Sequence, residues 1–507
     1  MSMRVFFRQP GTMIATLMMC QLALTLYLSF TLNIWVDEYF SLFATEGSMR
    51  RAIWQSIHFD SQPPLYYFLL NLWRMGDSSV LFARLFSVIS VALATYIIYL
   101  LACRLWGQSK VLPFFPILVL NPYLIWAASE IRLYGFLLLE CALLMYFFHK
   151  AFLHDDRQHA TRDRLAFFAL SLAILYTQYY AGFLLLAGAF ALMVLGRWQE
   201  LKVYIVGMLV VGILFLPMIG VLSGQVREVS HTASAAVSAP GLTESVKHVY
   251  WLLQGLLFPD NGIAGWAAVK DWIVLLLVLY LVYLLVRHKS CVITLPNMYL
   301  LTLLFVLAGS FILICWKLGM YYTQRRHLAI LFFPLLGLWL GYLCSIKQRW
   351  LGWLLLAICM ATYANALMYK YVPPVKYGDW ERVAGHISSS SHYNAPILVF
   401  RNTGALPFST YFKPTANIIP VPNAFGLDHF DAQSPVLESE QLLIDMAEKL
   451  DKSSNHFWLL TYATGSWLGV DIGARFVEQF VETHCTVIEQ KKFVGTKVRL
   501  VRYNQAR

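Results

Sequence analysis

Charge is scarce in this chain. Of its 507 residues, only 13% are Asp, Glu, Lys or Arg, against roughly 25% in a soluble domain. The deficit is concentrated in residues 12–370, whose long apolar runs exclude an ordinary soluble core. Residues 371–507 carry the composition of a soluble segment. This shift divides the chain into a membrane unit, 1–370, and a C-terminal unit, 371–507. Cysteine pairing is missing as well. Seven of the eight cysteines lie in or beside apolar runs, and only Cys485 falls in the polar tail. No pair has metal-ligand spacing, and a lone tail cysteine excludes a disulfide within the tail. The tail also has no glycine-rich phosphate loop, which leaves nucleotide binding there unsupported. The net charge is +11. In so apolar a chain, an excess of this sign points to cytoplasmic loops and anionic lipid, and no nucleic-acid partner is expected.

What is present is a series of hydrophobic runs. A helix needs about 20 apolar residues to cross a bilayer. About eleven such spans are expected, near 12–34, 80–103, 111–128, 131–150, 165–180, 182–196, 203–222, 270–287, 297–316, 327–345 and 350–369. The first is preceded by Arg4 and Arg8, exceeds a signal-peptide core and reads as an uncleaved span. One set of short loops is basic throughout, from Arg104 and Lys110 to Lys150, Arg157, Arg162 and Arg164, Arg197 and Lys202, Arg287 and Lys289, and Lys347 and Arg349. The positive-inside rule makes those loops cytoplasmic and puts the long segments 35–79 and 224–269, with the tail, on the other side.

The first outer loop carries Phe40, Phe43, Ile53 and Ile57 near helical spacing, which suits a helix lying in the interface. The run Pro64–Met75 is too short to span and reads as a second interfacial helix. The loop 224–269 begins polar and turns interfacial over Val246–Phe258. The tail alternates strand-like runs (Ile397–Phe400, Phe457–Thr461, Cys485–Ile488, Lys497–Val501) with helical ones (Glu438–Leu450, Val470–Phe480), the pattern of a small α/β domain. The expected architecture is a polytopic α-helical membrane protein with a small C-terminal α/β soluble domain.

Three outer stretches carry charge where hydrophobic sequence normally dominates. Asp37 and Glu38 sit where the first span ends, and Asp60-Ser61-Gln62-Pro63-Pro64 marks the chain's return to the membrane. Adjacent helical residues point about 100° apart, so only one of Asp37 and Glu38 can face a given site. Glu130 and Arg132 occupy a tight turn between two apolar runs, either bridging each other or leaving Arg132 to hold a phosphate with its planar donor fork. Arg325 and Arg326, before the tenth span, run against the positive-inside rule and suit an anionic ligand or lipid headgroups. Gln178-Tyr179-Tyr180 and Arg84 are weaker polar marks, and Arg84 reads as structural. Carboxylates and arginines at one membrane face fit glycosyl transfer: an acid takes the acceptor's proton and cations hold the departing lipid phosphate.

These stretches resemble the GT-C superfamily of membrane glycosyltransferases, and within it the protein O-mannosyltransferase-like group that includes the aminoarabinose transferase of lipid A. Asp37-Glu38 resembles that group's paired acids after the first span. Asp60-Ser61-Gln62-Pro63-Pro64-Leu65 resembles its acid–x–His–Pro–Pro–Leu stretch, with Gln62 in place of the histidine or lysine. Arg132-Leu133-Tyr134 looks like the Arg–x–Tyr element, and Arg326-His327 is similar to an Arg–Tyr pattern, with histidine for the aromatic. The resemblance implies inverting transfer of a sugar from a polyprenyl-phosphate carrier at the extracytoplasmic face of a membrane such as the bacterial inner membrane. It implies Asp37 as the base, Glu38 and Asp60 shaping the catalytic site, and Gln62, Arg132, Tyr134, Arg325 and Arg326 on the donor side. Some relatives bind a divalent metal and others do not. No ligand cluster is readable here beyond the nearness of His58 to Asp60, so no metal site is expected and the cofactor stays unknown. The acceptor, whether lipid, glycan or protein, is open.

Other functions draw on the same marks. A transporter or flippase of a lipid-linked glycan precursor also wants outer arginines, but with charges lining a path across the bilayer. A ligase of whole glycans does not need the three acids together, and a non-catalytic scaffold is indifferent to Asp37.

Overall fold

The computed structural model describes residues 10–154, 159–234, 240–287, 294–319, 323–413, 415–431, 433–451, 456–466 and 470–504. Arg4, Arg8, Arg157, Lys289, Cys291, Tyr321 and Tyr322 lie outside the described residues.

The chain is a multi-pass membrane protein. Among the described residues, seven helices are long and apolar enough to cross a bilayer: Pro10–Thr31, Val80–Trp106, Tyr134–Leu153, Trp198–Val226, Leu295–Leu318, Arg325–Ser345 and Arg349–Tyr371. The expected span 111–128 is a broken pair, Gln108–Val119 and Pro122–Ala128, bent by 55°. Pro122 lacks the amide that would continue the helix, and Asn121 caps the new start by accepting from the Tyr123 amide at 2.8 Å. The expected spans 165–180 and 182–196 are helices of 16 and 14 residues, Ala160–Leu175 and Ala181–Val194. Both are shorter than the roughly 20 residues a full crossing takes. Expected span 270–287 lies on the helix Trp266–Arg287.

Burial separates inner helices from outer ones. Arg325–Ser345 is 72% buried and Tyr134–Leu153 67%, whereas Trp198–Val226 is 17% buried. The first two form the middle of the bundle. The outer helices present Phe30, Leu209 and Phe305 outward, which a bilayer tolerates and water does not. Both central helices begin at the same end of the bundle. That end also holds the close of the first span, the first loop and the tail, since Lys376 reaches Glu38 and Gln225 donates to the Ile57 carbonyl. Lys150–Asp163 and Arg164–Glu200 ion pairs lie at the opposite end.

The first loop forms three short helices: Val36–Ala44, Met49–His58 and Leu65–Arg74. The single helix expected over Glu38–Phe59 is thus two, separated by Gly47, whose φ of 87° is a left-handed value that glycine adopts without strain. The polar segment expected to open the loop at 224 instead continues the preceding helix, Trp198–Ser234, and the interfacial run is the helix Leu242–Leu257.

The tail is a five-stranded sheet: β1 Ile397–Phe400, β2 Ile418–Val421, β3 His456–Tyr462, β4 Cys485–Phe493 and β5 Thr496–Tyr503, in the order β2-β1-β3-β5-β4. Strand β1 runs parallel to β2 and β3, and β5 is antiparallel to both its neighbours. Strand β2 was hidden in the sequence by Pro420, which an edge position tolerates. Side chains alternate across β1 and β3. Leu398, Phe400, Phe457 and Leu459 pack with the helices Gln441–Asp451 and Ala474–His484. Ile397, Val399, Trp458 and Leu460 enter a second core shared with the helices Trp380–Ser388 and Ala405–Tyr411.

That second core crosses into the membrane unit. Val36, Phe40 and Phe59 of the first loop belong to it. Phe40 meets Phe59 at 4.9 Å between ring centroids and tail Phe425 at 5.8 Å. The tail therefore rests on the loop helices through a continuous apolar contact. Phe40→Ala should cost about 3–5 kcal/mol, the usual range for emptying an aromatic core position. Differential melting in detergent should show that loss with a tail made sensitive to limited proteolysis; an unchanged melt contradicts the shared core.

Candidate active site

The first span ends at Thr31, and its last carbonyls need partners. Arg84, 1% exposed, supplies them. It donates to the carbonyls of Ser29 (2.9 Å), Leu32 (2.6 Å) and Asn33 (3.0 Å), and to Glu38 Oε1 (3.1 Å) and Oε2 (2.9 Å). All five guanidinium protons are used.

Glu38, 0% exposed, also accepts from the Ile131 amide at 3.0 Å. Lys376 of the tail places its ammonium 2.7 Å from Glu38 and 3.2 Å from Glu130, and donates to the Ser129 carbonyl at 2.8 Å. Trp35 Nε1 donates to Glu130 at 2.7 Å. The result is a closed lattice of two acids and two bases. Burial pushes Glu38 up, but Arg84 and Lys376 together bring it below the ordinary carboxylate range. Burial raises Glu130, with Lys376 opposing, and lowers the Lys376 ammonium. Of the adjacent acids Asp37 and Glu38, expected to point apart, Glu38 is the one whose oxygens are filled and shut from solvent. The Glu130–Arg132 bridge is absent, because Glu130 turns to Lys376 and Trp35.

Arg132 points the other way. Its Nη1 donates to Asp60 Oδ2 (2.8 Å), Ser41 Oγ (3.2 Å) and Tyr67 OH (3.2 Å), and its Nη2 to Asp60 Oδ1 (3.3 Å). The Tyr67 hydroxyl also donates to Asp60. The Arg132–Asp60 side chains are 6% and 10% exposed. Burial holds the Asp60 carboxyl above its ordinary range, with Arg132 pulling down and Asp37 adding to the rise.

Asp37 and Arg326 meet at 2.6 Å in the more open part of the cluster, 19% and 24% exposed. Arg325 lies apart from them on Asp260 at 3.1 Å, open to solvent. Tyr134 is buried and stacks on Trp126 at 5.3 Å. Gln62 sits behind the turn at Ser61, its amide donating to the Ser56 carbonyl at 2.8 Å, with its side-chain oxygen enclosed. Asp37, Asp60, Arg132 and Arg326 thus come together. Glu38 stands behind them, Arg325 beside them, and Gln62 and Tyr134 line the wall.

His58 does not join Asp60. Its ring stacks on Trp54, and Nδ1 is 2.9 Å from the Trp54 carbonyl. Asp37 and Asp60 each face a guanidinium. Among the described residues no group of three or more His, Cys, Asp or Glu side chains could hold a metal ion.

Lys376 escaped the sequence reading. It lies past the last span with no motif around it, and only a search for the counter-charge of Glu38 and Glu130 could have found it. Tyr67 and Ser41 were equally silent, as ordinary members of amphipathic helices.

Arg84→Met leaves Glu38 short of its main partner. The expected loss is about 3–5 kcal/mol, as for one half of a buried pair, read as a lowered melting temperature in detergent. Arg84→Lys should recover little, having three donors where five are used. Full stability in both variants contradicts the lattice.

No sequence-family profile matches the chain, and no curated protein does. Solved structures do. The chain is similar to ArnT from Cupriavidus metallidurans bound to undecaprenyl phosphate, with a TM-score of 0.55 and 13% identity over 96% of this chain and 97% of that one. It is also similar to the Archaeoglobus fulgidus oligosaccharyltransferase tethered with an acceptor peptide, with a TM-score of 0.50 and 12% identity over 99% of this chain and 75% of that one. Both matches take in the tail as well as the spans. The chain therefore shares the fold of these two solved structures.

Proposed function

We propose that the chain transfers a monosaccharide from a polyprenyl-phosphate carrier to an acceptor hydroxyl, with inversion, on the non-cytoplasmic side of a membrane such as the bacterial inner membrane. In this reading residues 1–370 are the catalytic unit and 371–507 an extracytoplasmic unit. The observation that carries it is the Asp37–Arg326 pair at 2.6 Å in the open part of the cluster. The similarity to a polyprenyl-phosphate-bound structure supports the donor class. Sidedness is supported by the basic residues Lys150 and Arg164 at the far end of the bundle.

The chemistry follows from which ion pair can open. A solvent-exposed pair is worth roughly 0–1 kcal/mol, whereas splitting a buried one costs about 3–5 kcal/mol. Arg132–Asp60 is the enclosed pair and stays; Arg326–Asp37 is the one an incoming phosphate can part. Arg326 then turns to the phosphate, and Arg325 adds positive charge nearby. Asp37, released, accepts the proton of the acceptor hydroxyl. The acceptor oxygen forms its bond to the anomeric carbon from the face opposite the phosphate. The carbon–oxygen bond to phosphate breaks, its electron pair goes to the phosphate oxygen, and polyprenyl phosphate leaves. A single displacement inverts the centre. Arg132 holds Asp60, which keeps a second negative charge beside Asp37.

A transporter or flippase is the second reading, favoured by one observation. Glu140, inside the central helix, has one partner, Thr177 at 3.0 Å, and a second oxygen with none. Ionisable groups within spans often mark a path.

The test offers purified protein a set of radiolabelled polyprenyl-phosphate sugars. Protein-dependent release of label from the carrier supports transfer; flipping in liposomes with no release supports the transporter. Asp37→Asn should lower kcat by about 10²–10⁴-fold, the range for losing a general base. Arg326→Ala should lower kcat/KM by about 10–100-fold, as for one hydrogen bond to a charged group, chiefly through donor KM. The raised Asp60 carboxyl sets a pH limit. As pH falls through its value the carboxylate takes a proton and Arg132 loses its counter-charge, so kcat should fall. The acid limb should sit above about pH 4, the ordinary aspartate value. A limb below that contradicts the role given to Asp60.

A further inference from the structure

We infer that Lys376, from the C-terminal segment, is a positioning residue of the transfer site, because it balances Glu38 and Glu130 and so fixes the turn from which Arg132 reaches Asp60. This rests on the transferase reading.

The geometry is specific. The Lys376 ammonium touches Glu38, Glu130 and the Ser129 carbonyl. Two of these contacts are to residues 129 and 130, directly before Ile131 and Arg132. The Ile131 amide is tied to the same Glu38 carboxylate, and Ser87 Oγ donates to the Glu130 carbonyl at 2.6 Å. The turn is thus held from both sides, and Lys376 supplies the side that faces the tail. Its own backbone is fixed, since its amide donates to Asn33 Oδ1 at 2.7 Å. Close by, tail Tyr411 accepts from the Ile34 amide at 2.8 Å. Two tail residues therefore grip the end of the first span, one of them at the base of the helix that carries Asp37.

Charge makes the lattice sensitive. Arg84 and Lys376 face Glu38 and Glu130, so it is balanced however a proton is shared between Glu130 and Lys376. Arg84 is fully committed to Glu38 and three carbonyls. Without Lys376, the Trp35 indole is the side-chain hydrogen bond left to Glu130 among the described residues, with the Lys370 ammonium acting on it only through space. A buried acid in that position draws in water or moves its turn. Arg132 moves with it, and Asp60 and Asp37 lose their register. Arg326, carried by a different helix, is left in place.

The experiment compares wild type, Lys376→Met, Glu130→Gln and the double variant, in the full chain, with the radiolabelled polyprenyl-phosphate sugar that wild type uses. Lys376→Met should lower kcat about 100-fold, as expected for a small misplacement of catalytic groups, with donor KM within about threefold because Arg326 stays. Adding Glu130→Gln removes the stranded charge and should recover at least about tenfold of that loss. A lysine that serves only to dock the tail gives no such rescue. Activity of Lys376→Met near wild type overturns the inference, as does a monodisperse double variant no more active than the single one. If Lys376→Met alone does not purify as a monodisperse protein, the double variant carries the test against Glu130→Gln: comparable kcat supports the inference and an inactive, monodisperse double variant overturns it. Failure of wild type to move label from any carrier is a different result, and it removes the transferase reading itself.

Discussion

The site end of this molecule depends on keeping two buried carboxylates neutralised. Glu38 and Glu130 lie where three separate pieces of chain meet: the end of the first span, the turn at 129–132 and the start of the tail. None can be left without a cation, because an uncompensated buried charge costs several kcal/mol. Arg84 and Lys376 answer that demand, and in doing so they fix how the pieces sit. Arg84 closes the carbonyls of the first span. Lys376 brings the tail down onto the turn. The apolar contact of Phe40 and Phe59 with Phe425 extends the same union outside the lattice. The tail is in this sense part of the wall of the site.

In front of this braced layer stands a second, more open layer of charge. Arg132 is locked on Asp60, Ser41 and Tyr67, while Arg326 rests on Asp37 in reach of water. Four charged side chains from four different segments cancel one another without ligand. In the proposed chemistry, that arrangement stores the Asp37 carboxylate in masked form. It also couples unmasking to arrival of an anion. The N-terminal ends of the two central helices open toward the same place, and their dipoles favour negative charge there. The proposed chemistry asks only that a phosphate compete with a carboxylate for Arg326.

Much of this was legible in the sequence where burial in lipid makes polarity costly. Hydropathy marked the long apolar helices, and the acids and arginines stood out because they interrupt it at the membrane edge. Asp37, Asp60, Arg132 and Arg326 could be gathered on one face from loop order alone. Their pairing could not. Arg132 chooses Asp60 over its neighbour Glu130 because the turn directs the two side chains to opposite sides, which is a matter of backbone geometry. That Asp37 and Glu38 point apart was legible from helical geometry, but not which of them turns to the buried side. Lys376 was silent because its contacts join segments hundreds of residues apart. Proline misled twice: Pro122 breaks a run that reads as one span, and Pro420 disguises an edge strand. The polar stretch after residue 224 is helical as far as Ser234, as the end of the helix Trp198–Ser234.

The central claim is that donor phosphate displaces Asp37 from Arg326 while Arg132 stays on Asp60. A cryo-electron microscopy structure of the protein in a lipid nanodisc with polyprenyl phosphate tests it most directly. The account predicts Arg326 within hydrogen-bonding distance of the phosphate, Asp37 released toward the acceptor side, and the Arg132–Asp60 pair unchanged. A phosphate bound elsewhere with Asp37 still on Arg326, or one held by Arg132 with Asp60 set free, contradicts it.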